Sequence, residues 1–340
     1  MVPHPGGARP ARVGYGEPVP LLPPPPNLVR DGQVAVWGSF AGVIPAPDLE
    51  AARPWGPLSG LRLKRWYHAA LVHPEVGMTF AFVDAGYQRL AWVQVVDRAT
   101  GRAVEVARQA PWLDVHVAPA LGDDRSHVRA SGLRIDWWAH LAAGRHRVDL
   151  RAGDVVGFLH LHADRATPLE VVLPLGRGRA MWSHKVPLPA EGTLAWGGRT
   201  FTLDPEHTTV ILDLHKAHYP HHTWWKWATF AGRDAAGRRI AANFTDNVAV
   251  GREQHENALW VDGVLSQLAP PAFHQGADPW RVDGEGTRLA FAAGGERRED
   301  LNLGVVRSSF RQRHGVWSGA VAGHEVPGAW GLAEDHTSAW

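Results

Sequence analysis

From Gln33 onward the chain is a succession of short alternating segments cut by glycine, proline and aspartate turns. Apolar residues hardly ever recur at helical spacing. QVAVWGSFAGVIP (33–45), LRLKRWYHAALVH (61–73), MTFAFVDAGY (78–87) and LAWVQVVDR (90–98) read as strands. Residues 97–102, DRATGR, form a hairpin turn into AVEVARQA, and Asp262-Gly263 marks another inside ALWVDGVLSQL. Such a chain buries its apolar faces as antiparallel barrels or sandwiches, with few short helices; Pro47 to Ala52 is one such short turn or helix. At 340 residues two units are expected. Residues 1–30, rich in Pro and Gly, read as an extended arm. The Gly-Arg-Gly-Arg stretch at 176–179 sets the expected boundary, giving domains 31–178 and 179–340, the second carrying the candidate polar site.

Composition excludes several functions. Lys and Arg exceed Asp and Glu by one, which gives no overall field for nucleic acid or an anionic membrane. Without cysteine there are no disulfides, thiolate ligands or cysteine nucleophile. The apolar runs are strand-length, so no membrane span is expected, and the N-terminus lacks an apolar signal region, so a cytoplasmic protein is expected. There is no phosphate-binding loop, dinucleotide fingerprint or G-x-S-x-G elbow.

Chemistry concentrates in Ile211 to Trp227, ILDLHKAHYPHHTWWKW. Alternation places Asp213 and His215 on one strand face and Leu212 and Leu214 on the other. A carboxylate two residues from an imidazole on one face can orient it and raise its basicity. The same pair would serve as an ion pair at a barrel rim, and the sequence leaves both readings open. Pro220 breaks any helix that could converge His215, His218 and His221, so no metal is expected.

Other polar groups join the candidate site. In WSHK, Trp182 and His184 share one face and Ser183 and Lys185 the other, and His184 is expected to face the Asp213/His215 pair. In RRIAANFTDN, Asn243 and Asn247 share a face and Asp246 takes the opposite one. Glu256-Asn257 is a similar polar pair, and Glu334 and His336 continue a face begun by Trp330 and Leu332. The run Arg297-Arg298-Glu299-Asp300 reads as a solvated hairpin end. Asp213, His215 and His184 are therefore the candidate catalytic groups. Trp182, Tyr219, Trp225, Trp227, Asn243, Asp246, Asn247, Glu334 and His336 are the candidate ligand contacts.

The blocks RLKRWYHAAL, DAGY, WSHKVPLPAEG, LDLHKAHYPHHTWWKWATF, GRDAAGRRIAANFTDN, ENALWVDG, GERREDLNLGVVRSSFRQRHGVWSG and GLAEDHTSAW occur in order. Through them the chain resembles the family called domain of unknown function 2804, from about Gly16 to the last residue. Leu214 stands where that family's Asp-His-Lys block would carry a second acidic residue, so the resemblance does not imply two adjacent carboxylates here. More distantly the chain resembles two-barrel lipocalin-like proteins of the carotenoid hydratase group. That resemblance implies an all-β chain of two consecutive lipocalin-like barrels. The function expected is binding of an apolar small molecule or lipid in an aromatic-lined cavity, with acid–base chemistry of hydratase or isomerase type and no cofactor. The alternatives are a non-catalytic lipid or metabolite carrier and a carbohydrate-active β protein. Tryptophans enclosed in a deep pocket favour the first two, and tryptophans open in a shallow groove favour the last.

Overall fold

The computed structural model describes residues 20–250, 253–275, 280–302 and 306–339. The chain is all-β, with two large curled antiparallel sheets. The described α-helix is the single turn Ser59–Arg62, and the turn expected near Pro47 is a 3-10 turn at Leu49–Ala51. The described end of the expected arm lies on the first sheet, where Leu22 bridges Phe40 and Leu28 is fully buried.

The first sheet runs from Ala103–Ala110 through Arg89–Asp97, Val76–Asp84, Lys64–Val72 and Thr209–Ala217 to the long strand Ala180–Trp196. That strand changes partners along its length. Its first half pairs with Leu169–Pro174 and Thr209–Ala217, its second half with Val155–His162 and Arg199–Leu203. Pro187 and Pro189 fall where one side of the strand has no ladder partner, a position that tolerates residues without an N–H. The second sheet is centred on His222–Arg233, His324–Ala339, Arg307–Val321 and Thr287–Asn302.

Sheet membership therefore changes between Ala217 and His222. The boundary expected at 178 falls inside the first sheet, because Ala180–Trp196 and Thr209–Ala217 both pair back into it.

Three apolar clusters follow from strand parity. Val210, Leu212 and Leu214 point into the first barrel with Trp137, Phe80 and Leu159. Phe230, Phe244, Phe291 and Trp317 fill the second. Ile211 and Ala217, from the opposite face of the 209–217 strand, join Ala231, Trp260, Trp330 and Leu332 in a layer between the two sheets. Gly77 shows how close the layers come, since a Cβ there would lie 2.4 Å from the Trp330 ring. Gly77→Ala is expected to cost about 1–3 kcal/mol by overpacking, measured as a lower urea midpoint. An unchanged midpoint would mean that the two layers separate freely.

Candidate functional site

The same parity builds a cleft next to that layer. The register sets Lys185 on one side of Asp213 and His68 on the other, while His215 lies beside Trp66. Across the gap, Trp225 pairs with His336 and Trp227 with Glu334. These side chains, with Trp92, Tyr219 and Phe310, wall a cleft of about 1180 Å³ counted to its open mouth.

One end of the cleft is charged. Lys185 Nζ donates to Asp213 Oδ1 at 2.6 Å and lies 3.4 Å from Glu256 Oε1. His215 Nε2 approaches Asp213 Oδ1 at 2.6 Å and Lys185 Nζ at 3.3 Å. An ionised carboxylate can only accept, so the shorter contact assigns Nε2–H as a donor to Asp213. His215 Nδ1 is then the acceptor, and it makes no hydrogen bond among the described residues. Trp66 stacks on the imidazole at 4.6 Å and 17° and fixes its plane. Burial opposes the Asp213 charge, yet His215 and Lys185 outweigh it and hold the carboxyl well below its ordinary range. Burial likewise opposes the Lys185 charge, and Asp213 and Glu256 more than offset it, raising its pKa.

A second carboxyl sits in the opposite condition. Glu334 accepts from Trp225 Nε1 at 2.5 Å and from Gln312 Nε2 at 2.8 Å. Burial dominates over these bonds and pushes its pKa up to about 7. Burial also lowers His68 to about 4 and His336 to about 3, so both rings are neutral at neutral pH. His336 packs edge-on against Trp225 at 3.9 Å, and its Nε2 meets Ser308 Oγ at 2.9 Å.

Eight candidate residues converge on this cleft: Asp213, His215, Tyr219, Trp225, Trp227, Asn247, Glu334 and His336. Asn243 stands just behind it, accepting from Trp227 Nε1 at 2.6 Å and donating to the Glu256 carbonyl at 2.6 Å. Trp182 and His184 do not join. They face the interior of the first barrel, where both bond Glu170 at 2.8 Å. The register explains this: His184 pairs with Leu214 on the core face, whereas Lys185 pairs with Asp213. Asp246 lies on the face opposite Asn247 and lines a neighbouring cleft with His255. His218 packs against Trp55 and His221 against His222, so these rings diverge from His215.

Sequence reasoning named Lys185 and Glu256 without choosing them as catalytic or ligand contacts, and missed Trp66, His68 and Gln312. For Lys185 the parity was readable, but not which face met the second sheet. Arg297 corrects the solvated reading of its charge run. It is 4% exposed, stacks on Trp92 at 4.2 Å and on Phe310 at 5.3 Å, and is held by Glu105 and Glu299.

The family model described as domain of unknown function (DUF2804) matches residues 23–340. The chain belongs to that family. A comparison with curated proteins finds no match for this DUF2804 chain. Among solved structures, CghA with Sch210972 is 13% identical with a TM-score of 0.53, covering 92% of this chain and 97% of that one. CghA alone gives 12% and 0.52, covering 82% and 88%. Kievitone hydratase from Nectria haematococca, at 12% identity and a TM-score of 0.45 over 80% and 88%, is too distant to carry an argument. The likeness to CghA extends over both sheets of the DUF2804 chain, and at such identity it is a likeness of fold. Among the described residues, no helix is long and apolar enough to cross a membrane.

Proposed function

We propose that the cleft binds an apolar small molecule and moves a proton on it, as in a hydratase or isomerase. The observation that carries this reading is a pair of buried carboxyl groups on one aromatic wall with opposite surroundings, Asp213 against Lys185 and His215 and Glu334 against the neutral donors of Trp225 and Gln312. Asp213 is held ionised beside Lys185 and His215, whereas burial against Trp225 and Gln312 raises Glu334 to about 7, so that it keeps its proton in a large share of molecules at neutral pH. Titratable groups pushed apart in this way supply a base and an acid at one pH. His215 Nδ1 is the base, with Asp213 fixing its tautomer, and Glu334 is the acid. In an isomerisation His215 removes a proton from one carbon while Glu334 protonates another. In a hydration His215 takes a proton from water as its oxygen bonds to carbon, and Glu334 protonates the adjacent carbon. Tyr219 and Asn247 line the same space and would hold a substrate oxygen.

The enclosure of the aromatics supports an apolar ligand over a sugar. Trp92 and Trp227 are buried, and Trp66 and Trp225 are half-buried in the cleft wall. CghA, similar in fold, has a crystal structure with Sch210972, which is consistent with this architecture housing a ligand.

Titration tests the assignment. Glu334 titrates near 7 when folded against an ordinary 4.5. Its raised value means that its contribution to stability is complete below about 4.5 and is lost as pH rises through about 7. The loss is about 3 kcal/mol. Turnover should fall over the same upper range as the acid deprotonates. Glu334→Gln is expected to abolish turnover and flatten the stability profile between pH 5 and 8. A variant with wild-type turnover would remove Glu334 from the mechanism.

A further inference from the structure

The lining residues of the cleft that are exposed, Tyr87 and Gln109, lie at one rim of the first sheet, which marks its mouth. The register brings the start of Lys64–Val72, the end of Val76–Asp84, the start of Arg89–Asp97 and the end of Ala103–Ala110 to that rim, through Arg65–Asp84, Asp84–Arg89 and Arg89–Ala110. Lys64, Ala85, Tyr87, Gln88 and Gln109 line the cleft there. The turns just outside carry large apolar side chains turned to solvent. Trp112 is 83% exposed, Leu61 62%, Leu58 58% and Tyr87 39%. They belong to one patch. A Cβ on Gly86 would lie 2.2 Å from the Leu61 carbonyl, and Arg89 Nη1 reaches the carbonyls of Pro111 and Leu113 at 3.5 and 3.3 Å. Isolated exposed apolar residues are ordinary; four of them rimming the mouth of an apolar cleft mark an interaction surface.

Charge identifies what fits it. The acids of this rim already have cationic partners, Asp84 in Arg65 and Arg89, and Asp114 in Arg129. Arg62 and Arg108 are exposed at the same rim and form no ion pair among the described residues. The overall charge of +1 hides this local excess of cations. Exposed Trp, Tyr and Leu ringed by arginine match the boundary of an anionic lipid surface, where aromatics sit at headgroup level and arginines meet phosphates. We propose that this rim docks the protein on an anionic membrane surface, so that an apolar ligand passes between lipid and cleft without crossing water. The proposal rests on the apolar-ligand reading of the cleft.

Vesicle flotation tests it with the whole chain. Wild-type protein should bind phosphatidylcholine vesicles containing phosphatidylserine, bind pure phosphatidylcholine vesicles more weakly, and release as salt is raised. Trp112→Ala and Leu61→Ser should each weaken binding about tenfold. Both side chains are exposed and outside the cleft wall, so folding should be unaffected, and the neutral dye Nile red should bind the variants as it binds wild type. Vesicle binding equal in wild type and both variants, or absent in all, would overturn the docking surface; absence would leave the rim to a protein partner. If Nile red binds while vesicles do not, docking alone fails. If Nile red does not bind, the apolar-ligand reading fails with it.

Discussion

Lys185→Met is expected to destabilise the protein by about 3–5 kcal/mol, read from the urea midpoint at neutral pH. The side chain is buried and is the cation shared by Asp213 and Glu256. Methionine keeps the stem and removes the charge. Two carboxylates then face each other in a poorly solvated wall, and each lost charge-assisted bond leaves an uncompensated acceptor. The loss should shrink in Lys185→Met/Asp213→Asn, because the second change removes one of the stranded charges. A loss below about 1 kcal/mol in the single variant would mean that water already solvates these groups.

His215→Ala is expected to lower turnover about 10²–10⁴-fold while leaving the affinity for an apolar ligand within a few-fold of wild type. In the proposed mechanism the imidazole is the base, but the cleft wall is supplied mostly by Trp66, Trp92, Tyr219, Trp225 and Trp227. Asp213→Asn should act in the same direction, since an amide cannot hold the Nε2–H tautomer as a carboxylate does. Affinity is read by tryptophan quenching and turnover on the ligand recovered from the protein. A carrier would show the same affinities and no turnover in wild type. Unchanged turnover in both variants would place the base elsewhere.

Much of this was legible because strands have a period of two. The grouping of Asp213 with His215 and of Glu334 with His336 follows from alternation alone, as does the opposition of Asp246 to Asn247. Alternation does not say which face a barrel turns inward. His184 and Lys185 are neighbours of opposite parity, and the pairing of Lys185 with Asp213 decided between them. The changeover between sheets was hidden for a related reason. The Gly-Arg-Gly-Arg turn has the look of a linker, yet the strands beyond it hydrogen-bond backward over long sequence separations. Arg297 sits in a run whose Arg298 and Asp300 are exposed, and its burial depends on Phe310 and on Trp92, which is far away in sequence. Glu256 precedes a strand instead of lying in one, so no period could assign it a face.

Native mass spectrometry of the chain purified from its own host, with Leu301→Trp as the comparison, decides whether the cleft holds an apolar molecule. Leu301 lines the cleft, and the larger ring would narrow the space open to a ligand. The predicted result is one apolar molecule per wild-type chain and a clearly smaller fraction of the variant carrying it. A sugar, or a molecule retained equally by Leu301→Trp, would contradict the account.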